Sequence, residues 1–128
     1  MSMQPTAIVD QVERWLDGYV AAWRGNDPDQ IAALFARNAL YYTAPDTDPW
    51  GGREAIVGGW LGRQDGPSTW RFRHEIVVVA ADLAVVQGWT DYLAPARDYS
   101  NLWLVRFAPD GRCTEFTKWW MERKEEPR

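Results

Sequence analysis

The chain has 128 residues and a formal net charge of −4, with one cysteine and one histidine. That length suits one hydrophobic core, so a single domain over residues 1–128 is expected. Clustered Lys and Arg for phosphate are missing, which argues against nucleic acid, and no apolar run approaches the roughly 18 residues of a membrane span. Residues 1–10 show neither a basic start nor an apolar signal core, so a cytoplasmic location is expected. Lone Cys113 cannot close an intrachain disulfide and reads as a buried strand thiol. Lone His74 rules out a His-rich metal site. Neither a metal nor a cofactor is expected.

Ile8, Val12, Trp15, Leu16, Tyr19, Val20 and Trp23 recur at three- and four-residue steps. They form one face of an amphipathic helix, with Gly25 as its stop. Asp27-Pro28-Asp29-Gln30 supplies an N-cap, a proline for the first turn and a capping-box partner. Ile31, Leu34 and Phe35 then give a short second helix its apolar face. Residues 40–43 read as a short strand, and residues 44–52, with two prolines and two aspartates, as a loop. A third helix over 53–61 carries Gly58 and Gly59, and residues 63–68 form a further loop.

Beyond Thr69 the pattern is antiparallel sheet. Residues 70–80 and 83–92 are two strands with a turn near Ala81-Asp82. Residues 99–108 and 112–121 are two more, joined through Pro109-Asp110-Gly111. Helices followed by strands give an α+β fold, in which a curved, mainly antiparallel sheet wraps N-terminal helices around a cone-shaped cavity. The nine tryptophans exceed what a small core needs. The surplus points to the wall of a ligand pocket or to a subunit interface; the alternative is oversized core residues.

The element order, the Gly52-Arg53-Glu54-Ala55-Ile56 start of the third helix, and Arg106-Phe107 followed by Asp110-Gly111-Arg112 resemble the nuclear-transport-factor-2-like superfamily. Within it, the chain looks most like the SnoaL-like branch, which holds polyketide cyclases. The superfamily also includes ketosteroid isomerases, limonene epoxide hydrolases, scytalone dehydratase and non-catalytic binding modules, so the fold leaves function open. Pressed against the isomerases, the resemblance puts Tyr19 at the oxyanion-hole tyrosine and Thr43 or Ala44 at the general-base aspartate. It puts Trp103 at the second oxyanion acid, Phe35 and Trp60 at supporting tyrosines, and Trp120 at a pocket tryptophan. With base and acid replaced, enolisation loses its proton acceptor. The cyclase carboxylate would fall in Lys118-Trp119-Trp120-Met121, which has no acid.

Several polar residues have two readings. Tyr19 is either a donor to a ligand carbonyl or a core tyrosine. His74 shares the apolar parity of Trp70, Phe72, Ile76 and Val78, and is either a general base or a hydrogen-bonded core residue. Asp46 is a displaced base or a turn former. Asp91 is an inward carboxylate if the parity of Gln87 and Trp89 faces the cavity; the isomerase match turns Val86, Gly88 and Thr90 inward instead. Asn101, Trp103, Phe116 and Trp120 fall on parities matched to the pocket, with Trp60 beside them. Lys118 would hold a ligand carboxylate or phenolate, or stack on an aromatic ring, or else snorkel at the surface. Strands apolar on both sides, Val77 with Val79 and Leu102 with Leu104, point to a homodimer. The expectation is a small apolar, aromatic or polycyclic ligand, handled by a cofactor-independent isomerase, cyclase, dehydratase or hydrolase, or simply held by a non-catalytic or assembly module.

Overall fold

The computed structural model describes residues 6–63, 69–93 and 96–123. The predicted features at residues 1–5, 64–68 and 124–128 lie outside the described residues. In chain order the elements are α1 (Thr6–Gly25), α2 (Pro28–Ala33), β1 (Phe35–Tyr42), β2 (Trp50–Gly51), α3 (Arg53–Leu61), β3 (Trp70–Ala80), β4 (Leu83–Leu93), β5 (Ala96–Phe107) and β6 (Cys113–Arg123). The strands form one six-stranded sheet in the order β2-β1-β6-β5-β4-β3. Among the described residues only the β1–β6 pairing is parallel. The fold is α+β, as expected.

The predicted apolar face of α1 is the buried one, through Val12, Trp15, Leu16, Tyr19 and Ala22, while Ile8 in the first turn stays exposed. The helix ends at Gly25, as expected; the left-handed residue is the next one, Asn26 (φ 51°), whose N–H donates to Ala22 O at 2.7 Å. The Asp27 carboxylate caps α2 by accepting from Asp29 N–H at 2.8 Å. Phe35 opens β1 instead of extending α2. Leu34 O at this junction accepts from Trp15 Nε1 and from Cys113 N–H, each at 2.9 Å. Two neighbouring elements thereby fix the point where helix becomes strand.

β1 is twice the predicted length, because its register shifts between Phe35 and Leu40 and hides the alternation. The Gly52-Arg53 pair explains itself here. Gly52 has φ 93°, a conformation that favours glycine, and donates its N–H to Ala39 O at 2.8 Å. Arg53 Nε donates to Phe35 O at 3.1 Å, tying the irregular strand to α3.

Ala84, Val86, Gly88 and Thr90 of β4 are buried against the helices, which settles the parity of that strand. They align with β5 and β6 in rows such as Ile76–Val86–Trp103–Lys118. Gly88 is required: a Cβ there would come within 2.6 Å of the Phe72 ring. The bulge between Ile76 and Val78 turns Val79 toward the core, against the expectation that it faces outward with Val77. Gly111 (φ 90°) makes the predicted last hairpin. Among the described residues no helix is long and apolar enough to cross a membrane.

Candidate functional site

One end of the concave face is filled and the other is open. At the open end, α1 brings Tyr19 against Tyr41 of β1, with the two hydroxyls 2.7 Å apart. Tyr19 is buried, and its phenol is pushed well above the usual tyrosine range, chiefly by burial and then by Tyr41. It therefore stays neutral. Trp50 of β2 stacks on Tyr41, with ring centres 4.9 Å apart and planes 21° apart. Gly59 makes that stacking possible, because a Cβ on it would collide with the Trp50 indole. Trp60 of α3 packs on Tyr19 with centroids 4.8 Å apart. Lys118 Nζ sits 5.7 Å from the Tyr41 ring centre, and the Arg63 guanidinium 5.7 Å from that of Trp50.

These residues, with Trp23, Thr43 and Tyr92, line a cavity of about 90 Å³ that opens to solvent. Tyr19, Thr43, Trp60 and Lys118, separated widely in sequence, meet there. Larger surface concavities of about 550 Å³ near Arg37 and Arg53 and about 340 Å³ near Val12 and Phe107 have no buried polar side chain in their walls. The smaller cavity is the candidate because it alone of these three combines aromatic walls with a buried hydroxyl pair.

The other predicted site residues lie elsewhere. Trp103 is 2% exposed and sits one ring deeper, 4.7 Å from Tyr19 and stacked at 5.0 Å on Phe72. Its indole N–H has no partner among the described residues. Phe116, fully buried, packs 5.2 Å from it. Both are core, because Tyr19 covers them. Asn101 spends its side-chain oxygen on Thr90, accepting from Oγ1 at 2.8 Å. Trp120 is 55% exposed and meets Tyr99 edge-on, beyond the cover of the helices.

Asp91 corrects the inward alternative: it lies on the outer face, where Arg123 donates to it at 2.8 Å. Asp46 is exposed in the loop after β1 and does not border the cavity. His74 does face α1, but its Nε2 lies 3.1 Å from Glu13 Oε1 and its ring packs on Phe72, away from the cavity wall. Cys113 is buried, and burial pushes its thiol up to about 12, which leaves it inert.

Sequence reasoning missed Tyr41, Trp50, Arg63, Trp23 and Tyr92 as wall residues. Tyr41 was findable, since it shares the parity of Thr43. Trp50 was not, because a two-residue strand shows no alternation. Among the described wall residues there is no carboxylate and no imidazole. The site offers hydroxyl donors, two cations and aromatic faces.

No curated protein matches the chain in sequence. Solved structures share its fold. A protein from Kribbella flavida, provisionally described as a ketosteroid isomerase, superposes with a TM-score of 0.69 at 18% identity over 93% of this chain and 84% of that one. An NTF-2 like protein of unknown function from Burkholderia xenovorans gives 0.73 at 15% identity over 92% and 88%. Another from Mesorhizobium loti gives 0.67 at 22% identity over 94% and 99%. Residues 13–116 match the SnoaL-like domain model, and the chain therefore belongs to the SnoaL-like family.

Proposed function

We propose that the chain binds a small planar molecule in the cavity between Tyr41, Trp50 and Trp60, and that it acts there as a binding protein. The observation that carries this reading is a wall of aromatic faces and hydroxyl donors with no described carboxylate or imidazole. Proton abstraction needs a positioned base, and the position matched to that base holds Thr43 or Ala44, neither of which can serve; the Thr43 hydroxyl lies 3.4 Å from that of Thr47. The size limits the ligand. A closed cavity of about 150 Å³ takes one benzene, and this one is about 90 Å³ with an open side. A single ring with its substituent at the mouth fits better than a polycyclic skeleton.

The enzymatic reading rests on the Tyr19–Tyr41 pair, a neutral phenol chain able to donate to a developing oxyanion. It requires a base that the described wall lacks. We further propose a homodimer through the outer sheet face, where Val78, Leu102, Trp119 and Met121 are exposed at 48%, 39%, 48% and 70%. Leu102 pairs directly with Trp119.

Titration with single-ring aromatic compounds should quench the intrinsic tryptophan fluorescence saturably, and Trp60→Ala should weaken that binding. A panel that leaves the fluorescence unchanged would reject the binding reading. Sedimentation at micromolar concentration should give twice the chain mass; a clean monomer would remove the dimer.

A further inference from the structure

Two cations line the cavity, and among the described wall residues there is no carboxylate. Lys118 and Arg63 form no ion pair among the described residues, although the chain as a whole carries a net charge of −4. Each lies instead over an aromatic face: Lys118 over Tyr41 and Arg63 over Trp50, both at 5.7 Å. Those two rings are stacked on each other. The cations thus bracket one aromatic stack from its two members. A ring face accepts no conventional hydrogen bond, so the donors of both cations stay available to an incoming anion.

The neutral groups agree in sign. Each tyrosine hydroxyl has one proton, and the hydrogen bond between Tyr19 and Tyr41 uses one of the two. Burial keeps the Tyr19 phenol protonated. The pair therefore has one proton left to donate, and Thr43 adds a further hydroxyl at the wall. A wall rich in donors and cations calls for a ligand rich in acceptors.

Resting on the binding reading above, we propose that the ligand is a planar aromatic carboxylate, its ring against the Tyr41–Trp50–Trp60 faces and its carboxylate received by Lys118 and Arg63.

Benzoate and benzamide have the same shape and differ in charge. Calorimetric or fluorescence titration of the full chain should show benzoate binding about tenfold more tightly, the scale of one charge-assisted contact. Lys118→Met should remove most of that advantage, lowering benzoate affinity far more than benzamide affinity. Arg63→Gln, at an exposed position, should reduce it as well and covers the case in which Lys118→Met fails to fold. Added salt should weaken benzoate and not benzamide. Equal affinity for both probes, unmoved by either substitution, would overturn the carboxylate assignment while leaving the pocket standing. Failure of both probes to bind would overturn the assignment together with the binding reading.

Discussion

The two ends of the concave interior are built from the same kind of residue and behave differently. At the filled end, Trp15, Phe35, Trp103 and Phe116 interlock edge-to-face and tilted, with Trp15 and Phe35 planes 90° apart and Trp103 and Phe116 60° apart. Crossed planes leave little free space. At the open end, Tyr41 and Trp50 lie nearly parallel, 21° apart, with buried Phe116 stacked behind Tyr41. Parallel plates make a wall, and a wall leaves a face uncovered. Tyr19 is the partition, touching Trp103 on one side and Trp60 on the other. Aromatic content therefore does not mark a site; the covering element does.

Substitutions and a change of pH set the two ends against each other. Trp103→Ala empties the filled end and should lower unfolding free energy by about 3–5 kcal/mol in a urea melt. A loss below about 1 kcal/mol would mean that Trp103 is not core. At the partition, Tyr41→Phe should remove about 1–3 kcal/mol, because it strips the buried Tyr19 hydroxyl of its partner. Tyr19→Phe should lose a similar amount, since Tyr41 is as buried as Tyr19, each 3% exposed, and both border the cavity. A loss confined to one of the two would show that the other hydroxyl reaches water through the cavity.

High pH should act on the filled end first. The Cys113 thiol is raised from its ordinary 9.0 to about 12 by burial. The unfolded chain releases this proton before the folded one does, so the stabilisation is complete below pH 9 and lost as pH climbs toward 12. That gives roughly 1 kcal/mol between pH 8 and pH 10. Tyr19 adds to the loss above its ordinary 10.0. Cys113→Ala should flatten the lower part of this slope; an unchanged slope would show that the thiol ionises freely in the fold.

The smallest effect belongs to His74. Its partner Glu13 is 47% exposed, so His74→Gln should change stability by less than about 1 kcal/mol. Ligand binding should be unaffected, because His74 does not border the cavity. A loss of binding in the folded variant would return His74 to the site.

The sequence foretells most of this fold. Apolar spacing marks α1, the Asp27-Pro28 cap marks α2, and Asp110-Gly111 marks the last hairpin, because each is a local signal. It hides the rest for equally physical reasons. The start of β1 is irregular, and β2 has only two residues. On β4 both parities carry apolar side chains, Val85 and Trp89 against Val86, so alternation alone cannot say which way Asp91 points. Of the candidate cavity's wall, Tyr19, Trp60 and Lys118 are legible from position and parity. Trp103 and Phe116 share those inward parities, yet depth beneath Tyr19 makes them core. Depth is a property of the packed cone that no strand pattern contains.

The indole N–H resonances of assigned tryptophans report both ends in one spectrum. Titrating the full chain with benzoate should shift the signals of Trp50 and Trp60 saturably while those of Trp15 and Trp103 stay in place. Equal movement at Trp15 and Trp103, or none at Trp50 and Trp60, would contradict an interior divided by Tyr19 into a filled core and an open binding pocket.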